Sequence, residues 1–405
     1  MQSALKHFFK DAFQTVMKGS RTYYLWLLIL ILFITLGVGA YVIQLDKGLV
    51  VTNMNDYVSW GLYISNFTFL VGLAAAAVML VLPTYILKDL EFSKAVLIGE
   101  GVAVSALIMC LCFVVADMGG PHKLWHMLPV VGYFNWPSSM LTWDVIVLNG
   151  YLAINLCIPF YILFCYYRHE KPNQKIYVPF MFLSVAWAFG IHLVTAFLYA
   201  GLPARPFWNT GLLGPRFLAS AFAAGPAFII VLLLIVRDRL AFKISSSTIE
   251  KLALVTTVAA QANLVMLISE VFKEFYHHTE HSLSAQYLFF GIGEKTGLVP
   301  WIWTAVIINL ICTIGLSIHP IRRNEKWLIP LCILIFISIW IEKGMGLIIP
   351  GFIPSPLGEV VEYTPSLIEW LVTLGIWSFG LLILTMLVRV AVAILKGEML
   401  HKIKT

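Results

Sequence analysis

The chain has 405 residues, of which 60% are hydrophobic and only 12% are charged. Because soluble proteins carry about 25% charged residues, this composition excludes a set of soluble domains and predicts a polytopic membrane protein. In such a protein the net charge of +6 reflects loop topology rather than a nucleic-acid partner. The six cysteines lie within apolar runs and form no Cys-x-x-Cys motif, so neither an iron–sulfur cluster, a zinc site nor a disulfide framework is indicated.

Ten stretches are long and apolar enough to cross a bilayer core of about 30 Å as helices. They are residues 23–45, 58–86, 95–117, 140–166, 177–200, 216–236, 252–273, 298–318, 327–349 and 366–395. The first stretch is too long for a signal peptide and lacks a small-residue cleavage site, so we expect it to be retained. The sequence therefore predicts an all-α integral membrane protein with about ten transmembrane helices.

The distribution of Lys and Arg predicts the orientation of these helices. If the N-terminus is cytoplasmic, 20 of the 27 basic residues fall on the inner side and 7 in the outer loops. Since basic residues favour the cytoplasmic side, we expect both termini in the cytoplasm and a multi-pass protein of the cell membrane. The outer connections, 117–140, 200–216, 274–297 and 350–366, are long and rich in aromatic residues, Pro and Gly, which indicates an outward docking surface or a lid over a site.

Residues 1–405 are expected to form a single polytopic membrane domain. The second and sixth spans share an aromatic, then small, then aliphatic order, SWGLYISNFTFLVGLAAAAVML and RFLASAFAAGPAFIIVLL. Two related four-helix units, 58–200 and 216–349, flanked by helices 23–45 and 366–395, would explain this likeness. Runs of small residues also serve the close packing of helices, so the sequence leaves both explanations open.

His192, in the fifth span, is a candidate partner for a quinone ring because a neutral imidazole can give or take one proton near neutral pH. A hydrogen bond to a neighbouring helix is the structural alternative. A b-type haem needs paired histidines within the membrane, and haem is not expected because the other histidines lie in loops or at helix ends: His7, His122, His126, His169, His277, His278, His281, His319 and His401. In the second span Tyr63 and Asn66, one helical turn apart, can hydrogen-bond either a ligand or a helix.

Asp117 ends the third predicted span and Asp144 begins the fourth, both at the outer level. If the two helices are neighbours, the carboxylates converge near the mouth of a pocket. Aromatic residues of the same region would roof it: Trp125, Tyr133, Trp136 and Trp143. Quinol oxidation releases two protons with two electrons, so its site needs acceptors that lead to water. Helix capping or a pair with Lys123 is the alternative for each aspartate.

Three further carboxylates lie inside predicted spans, where ionisable residues are costly and indicate function. Glu100 lies near the inner end of the third span, and Glu270 and Glu342 lie near the outer ends of the seventh and ninth. Together with Asp117 they are candidates for a proton path, although Glu100 and Asp117 are about 25 Å apart along one helix. Snorkelling towards Lys94 is the alternative for Glu100.

Four stretches carry a resemblance that covers nearly the whole chain. They read SWGLYISNFTFLVGLAAAA; DMGGPHKLWHML followed by FNWPSSMLTWDVIVLNGY; IHLVTAFLYAGLPARPFWNTGLLGPRFLASAFAAGPA; and IEKGMGLIIPGFIPSPLGEVVEYTPS. In these stretches the chain resembles the NrfD/PsrC family of polytopic quinone-interacting membrane subunits. Within that family it is most similar to the DsrP type of the DsrMKJOP complex of sulfate reducers, with the HmcC type next.

The resemblance implies roles for several residues. In the family, the acid of a D-(L/M/V)-G phrase lies near the quinone, and Asp117 holds that place here. Relatives often read DLGRP where this sequence reads DMGGP. Gly120 therefore stands where arginine is common, and an arginine–carboxylate contact is not expected at this position. His192 corresponds to a helical histidine of the relatives, and the ARPFW loop, with Arg205 and Trp208, corresponds to an outer HPLW-like loop.

The resemblance also implies the bound substrate and the partners. Menaquinone or menaquinol would bind, and the chain itself would hold no haem, iron–sulfur cluster or metal. An extracytoplasmic ferredoxin-type iron–sulfur protein would exchange electrons with the quinone and dock on the long outer loops. In the DsrMKJOP type, further partners are a multihaem cytochrome c and a haem b membrane subunit with a cytoplasmic iron–sulfur subunit. Proton translocation could accompany the electron transfer.

Two other functions stay open at the level of the sequence. A solute transporter would share the buried polar residues, but transporters bind near the midplane at broken helices, whereas the polar candidates here cluster near the outer face. A non-catalytic membrane anchor for redox partners would need no quinone site at all. Binding of a quinone-site inhibitor discriminates both from a quinone-reactive subunit.

Overall fold

The computed structural model describes residues 2–85, 92–128, 130–276 and 282–400. Within these ranges the chain is all-α, apart from an isolated bridge between Ile292 and Lys295. Ten segments are helical, long and apolar enough to cross a membrane, which confirms the predicted fold class. The inner turn with Lys88 and the histidines at 277, 278, 281 and 401 lie outside the described residues.

Within the described residues fifteen helices are numbered in chain order; α1, α10 and α12 lie outside the ten candidate spans, and α3 with α4 and α13 with α14 each share one span. They are α1 Gln2–Met17, α2 Arg21–Lys47, α3 Leu62–Ala75, α4 Val78–Tyr85, α5 Ser93–Asp117, α6 Met140–Tyr167, α7 Gln174–Ala200, α8 Leu213–Leu240, α9 Ser246–Tyr276, α10 Leu283–Phe289, α11 Val299–Ser317, α12 His319–Arg323, α13 Glu325–Lys343, α14 Met345–Ile348 and α15 Leu367–Leu395. Most ends of the long helices lie within a few residues of the boundaries predicted for the spans.

Two predicted spans are not continuous helices. The second span is interrupted at Ala76–Ala77, where the backbone turns between α3 and α4 and the N–H of Ala76 donates to the carbonyl of Leu73 at 3.2 Å. The ninth span ends as a helix at Lys343, because Gly344 leaves the helical conformation with φ −83° and ψ −102°. Hydropathy alone does not reveal the break in the second span, since the residues on both sides of it are apolar.

The central helix of the protein is α3, in which every residue is buried. It contacts α5, α7, α8, α13 and α15. One cycle of contacts joins α3, α5, α6 and α7, and another joins α8, α9, α11 and α13, while α2 and α15 pack on each other. These contacts are compatible with the predicted units 58–200 and 216–349, whose boundaries stay predictions.

The small residues of the second and sixth spans meet at a close contact between α3 and its neighbour α8. A Cβ atom built on Gly225 would lie 1.9 Å from the Cβ of Ala76, so the two backbones approach as only small residues permit. A second approach of this kind occurs between α2 and α15, where a Cβ on Gly37 would lie 2.5 Å from the Cα of Gly375. Close packing therefore accounts for the small-residue runs that also suggested a repeat.

We expect Gly225→Ala to lower the stability of the protein, although alanine is the better helix former. The added methyl group has to displace the rigid side chain of Ala76, and overpacking of this kind costs about 1–3 kcal/mol, more than the gain of about 1 kcal/mol in helix propensity. Thermal unfolding in detergent measures the change. Gly190→Ala on α7 is the matched control, because a Cβ there meets nothing within 4 Å and should leave the melting temperature unchanged or raised.

Candidate functional site

Polar side chains concentrate at the end of the helix bundle where α5 ends and α6 begins, the predicted outer end. They form two groups. The first polar cluster lies on α3, α5, α6 and α7 and contains Tyr63, Thr68, Asp117, Asp144, His192, Thr195 and Tyr199. The second polar cluster lies on α8, α9, α11 and α13 and contains Arg216, Asn263, Glu270, Asn309, Glu342 and Lys343.

His192 is completely buried on α7, and its ring presents one free acceptor. Its Nδ1 lies 3.0 Å from the carbonyl oxygen of Ala188, one turn earlier. A carbonyl only accepts hydrogen bonds, so Nδ1 carries the proton and Nε2 is left with an acceptor lone pair. Within the described residues, Nε2 is buried and has no hydrogen-bond partner, which is the state required to bind a hydroxyl donor.

Asp144 is buried at the start of α6 and is bound by α7. The hydroxyl of Thr195 donates to its Oδ1 at 3.0 Å. One turn further along α7, Tyr199 is close enough for electrostatic interaction with both Asp144 and Asp117. The phenol of Tyr199 is therefore near both aspartates, and their convergence at one pocket stays a prediction.

The Tyr199 phenol also ties α7 to the central helix. Its oxygen lies 2.5 Å from Oγ1 of Thr68. Because the Thr68 hydroxyl donates to the carbonyl of Ile64 at 2.8 Å, the proton in the shorter contact belongs to Tyr199. This bond fixes the ring and leaves the phenol oxygen available as an acceptor.

Asp117 ends α5 beside a chain of hydrogen bonds from α2 and α3. The Tyr63 hydroxyl donates to Gln44 Oε1 at 2.6 Å, and Gln44 Nε2 donates to the carbonyl of Ala116 at 2.7 Å. The chain fixes the backbone next to Asp117 but does not include its carboxylate. Asp117 Oδ1 is buried and unpartnered among the described side chains and backbone, so it stays available to a ligand or a proton.

An aromatic cap covers the first polar cluster and consists of Trp60, Trp208 and Phe352. The rings of Trp60 and Trp208 are stacked 5.8 Å apart, and Trp208 lies 5.4 Å from Tyr199. Trp208 is fully buried and donates to the carbonyl of Leu347 at 2.9 Å. The cap joins two of the predicted outer loops, because Phe352 lies in the one and Trp208 in the other.

Arg205 fastens the same two loops. Its guanidinium donates to the carbonyl of Phe352 at 3.1 Å and lies over the Phe352 ring at 5.0 Å. Partial burial lowers the pKa of Arg205 from its usual value, yet an arginine stays charged at any physiological pH. Arg205 and Trp208, both predicted quinone-site residues, therefore build the cover of the first polar cluster.

Asn66 points towards two tryptophans on other helices. The indole N–H groups of Trp340 and Trp377 donate to its Oδ1 at 3.0 and 2.8 Å, and its amide donates to the carbonyl of Leu62 at 2.8 Å. These bonds join α3 to α13 and α15, which is the helix-pairing alternative stated for Asn66. The same indoles line a crevice of about 300 Å³ between α13 and α15.

The aromatic loop between α5 and α6 lies at the surface. Tyr133 is 85% exposed. Trp143 packs on Trp136 with ring centroids 4.0 Å apart and ring planes tilted by 44°, and its indole donates to the carbonyl of Pro137 at 2.9 Å. Trp125 stacks on His126. The buried cover of the first polar cluster is the aromatic cap, and Tyr133 and Trp143 remain predictions for quinone binding.

The second polar cluster is built on a buried arginine. Arg216 donates to Glu270 on α9 and, at 2.7 Å, to Oε1 of Glu342 on α13. The other oxygen of Glu342 accepts from Asn309 on α11 at 3.1 Å, and Asn263 on α9 lies 3.3 Å from Oε1. Four helices are thus joined through one carboxylate, and two of the predicted proton-path residues, Glu270 and Glu342, share one cation.

Glu100 is separate from both clusters. It is buried on α5, and its Oε2 has no hydrogen-bond partner within the described ranges. Tyr151 on α6 is near enough for electrostatic interaction with it and lies two helical turns, about 10 Å, from Asp144. Tyr151 on α6 is therefore a polar group that lies between Glu100 and the first polar cluster along the bundle.

Several site residues were not predicted from the sequence. Glu369 and Arg216 carried a usable signal, because both are ionisable and lie within predicted spans. Gln44, Thr68 and Tyr199 carried none, since a polar residue near a helix end is common and their partners are far apart in the chain. Their roles depend on which helices are neighbours, which hydropathy does not determine.

Glu369 organises the connection that holds α3 in place. It is fully buried at the start of α15, where it accepts from the N–H groups of Ser366 at 2.9 Å and Asn53 at 3.0 Å. The Tyr363 hydroxyl donates to it and accepts from the N–H of Leu62 at 2.9 Å. Burial and the neighbouring Glu369 carboxylate raise the pKa of Tyr363 well above its usual range, so this bond persists at alkaline pH.

Comparisons with known proteins agree with this architecture. A profile of the NrfD family, described as polysulphide reductase, NrfD, matches residues 50–353. That match covers three quarters of the sequence and includes both polar clusters. The chain therefore belongs to the NrfD family.

Three relatives are similar over most of their length. The chain is 22% identical to a selenate reductase subunit of Mesobacillus selenatarsenatis, over 90% of this chain and 93% of that protein. It is 24% identical to the Hdr-like menaquinol oxidoreductase integral membrane subunit of Archaeoglobus fulgidus, over 92% and 93%. It is 23% identical to a putative dimethyl sulfoxide reductase membrane subunit of Halobacterium salinarum, over 88% of each.

We expect Arg216→Met to destabilise the protein strongly, because it leaves Glu342 buried without its cation. Removing one partner of a buried ion pair costs about 3–5 kcal/mol, and thermal unfolding in detergent measures the loss. The double variant Arg216→Met with Glu342→Gln should recover much of it, since no buried charge is then left unpaired. Arg237→Met is the control: its pair with Glu325 is partly exposed and is worth about 0–1 kcal/mol. Equal effects at Arg216 and Arg237 would contradict the assignment.

Proposed function

We propose that this chain is the quinone-reactive membrane subunit of a respiratory redox complex. It exchanges electrons between menaquinol or menaquinone near the outer face and an extracytoplasmic iron–sulfur partner. The observation that carries the proposal is the first polar cluster, where the free Nε2 acceptor of His192 and the free Oδ1 of Asp117 are buried beneath the aromatic cap. Acceptors of this kind suit a substrate that binds as a hydroxyl donor and releases protons.

The first polar cluster supplies the groups that quinol oxidation needs. The reaction releases two electrons and two protons from two hydroxyl groups. One hydroxyl donates to His192 Nε2, which takes up its proton, and the carboxylates of Asp117 and Asp144 accept the other and pass it towards the outer surface. Tyr199 and Thr195 hold the acceptors in place. Run in reverse, the same groups return protons to a quinone.

The relatives support this class of function. One is a membrane subunit of a menaquinol oxidoreductase, one is a subunit of a selenate reductase, and one is a putative membrane subunit of a dimethyl sulfoxide reductase. All three names describe subunits that work with other redox proteins. A chain with ten candidate spans and a buried acceptor site suits quinone exchange within the membrane part of such a complex.

The finer assignment is to the DsrP type, on the strength of the four sequence stretches that resemble it. We accordingly propose a ferredoxin-type iron–sulfur protein and a multihaem cytochrome c as partners on the outer side. A haem b membrane subunit with a cytoplasmic iron–sulfur subunit is the proposed partner on the inner side. The distribution of Lys and Arg supports cytoplasmic termini in the cell membrane, with the outer loops free for docking.

A solute transporter is the second candidate, favoured by the break between α3 and α4. Interrupted helices near the midplane are typical of transporter binding sites, and Ala76–Ala77 interrupts the second half of the second span. The residues at the break are alanines, however, and offer no side-chain donor or acceptor. The buried polar groups lie at the end of the bundle instead, which supports the quinone proposal.

The test is titration of the purified protein with a fluorescent quinone-site inhibitor. We expect saturable binding by the wild type. His192→Ala and Asp117→Asn should each weaken it about fivefold or more, because the loss of one buried hydrogen bond costs about 1–3 kcal/mol and 1.4 kcal/mol is tenfold in Kd. His319→Ala, at an exposed position on α12, is the control and should bind as the wild type does.

Each other outcome has a definite meaning. Binding that survives both substitutions would place the quinone away from the first polar cluster. Absence of binding by the wild-type protein would overturn the quinone proposal. It would leave the transporter and the membrane anchor as the remaining candidates.

A further inference from the structure

Lys343 is a buried cation without a carboxylate partner. It is 5% exposed at the end of α13, and within the described part of the chain no carboxylate oxygen lies within 4 Å of its Nζ. Nζ donates to the carbonyl of Phe217 at 3.3 Å and lies 4.2 Å from the centre of the Phe217 ring. A carbonyl and a ring face hold an ammonium group weakly compared with an ion pair, so its proton is not fixed by a salt bridge.

The position of Lys343 is between the two polar clusters. On one side its charge is close enough to act electrostatically on the His192 ring. On the other side it interacts with the charges of Arg216 and Glu342. The central helix leaves room for it, since a Cβ atom on Gly72 would lie 3.0 Å from Nζ.

A small cavity connects Lys343 with Glu342. Its volume is about 10 Å³, and its lining includes Lys343, Glu342, Arg216 and the hydroxyl-bearing Ser220. A cavity of this size, with polar groups around it, has room for about one water molecule. One water is sufficient to relay a proton between an ammonium and a carboxylate that do not touch.

We propose that Lys343 is the proton donor that couples the quinone site to the second polar cluster. When His192 takes up a proton from the quinol, its new positive charge repels the charge on Lys343. The N–H bond at Nζ then breaks, the relay water transfers a proton, and an O–H bond forms on Glu342. No electrons move in this step, and the proton returns to Lys343 when His192 passes its own proton on.

The consequence lies in the ion pairs of Arg216. A protonated Glu342 no longer neutralises the guanidinium, so Arg216 keeps Glu270 as its one carboxylate partner among the described residues. The redox state of the quinone is thereby transmitted from α7 to the contacts among α8, α9 and α13. This inference rests on the proposed function, because it needs a quinol that protonates His192.

The experiment is time-resolved infrared difference spectroscopy of the full chain with bound menaquinol, recorded after a light-triggered electron acceptor oxidises the quinol and before His192 passes its proton on. Oxidation should produce a C=O band of a protonated carboxylic acid that is absent from Glu342→Gln, which separates it from any band of Asp117 or Asp144. Lys343→Met should abolish the band. Lys343→Arg should abolish it too, because arginine keeps the charge but does not release its proton. Ser220→Val, which fills the relay cavity and keeps both charged groups, should weaken the band by more than half.

Controls separate this inference from the proposed function. Each variant is titrated with the quinone-site inhibitor, and unchanged affinity shows that the site is intact. Lys273→Met, the same change at an exposed lysine, should keep the band. A band that persists in Lys343→Met or Lys343→Arg, or that is missing from a wild-type protein that binds the inhibitor, overturns the role of Lys343. Failure of the wild type to bind the inhibitor overturns the proposed function itself.

Discussion

The guanidinium of Arg216 is the constraint on which half of the bundle depends. It lies within the membrane-spanning part and binds carboxylates on α9 and α13, and a buried charge without a partner costs several kcal/mol. The outer ends of α8, α9 and α13 therefore have to stay together, and the two asparagines on Glu342 extend the requirement to α11. Apolar side chains cannot impose such a register, because lipid tails are as apolar as the helices.

The first polar cluster contains two buried acceptors that have no partner among the described residues. Its helices are held by bonds around the acceptors, such as Thr68 with Tyr199 and Gln44 with Ala116, while the acceptors of His192 and Asp117 stay free. A free buried acceptor lowers stability, so the surrounding bonds and the aromatic cap have to offset that cost. The helices are thus bonded around two acceptors that have no partner among the described residues, an arrangement that suits the proposed hydroxyl donor.

The spans were predictable from the sequence because bilayer thickness fixes the length of an apolar helix, and most helix ends fall within a few residues of their predicted positions. His192, Asp117 and Asp144 were identifiable because ionisable residues in a span are rare. Tyr199 and Gln44 were not, since their importance comes from partners 131 and 19 residues away. The break at Ala76–Ala77 was also hidden, because four alanines are equally compatible with a continuous helix.

The predicted proton-path carboxylates do not form one chain. Glu100 and Asp117 belong to α5, and Glu100 interacts electrostatically with Tyr151 on α6, whereas Glu270 and Glu342 are bound by Arg216. A carboxylate that is already paired accepts a proton only if the added proton is compensated by a change in charge nearby. An unpaired carboxylate such as Glu100 needs no such compensation. Coupling between the two clusters therefore needs a mobile charge that reaches both, and Lys343, at the end of α13, interacts electrostatically with His192 and with Glu342.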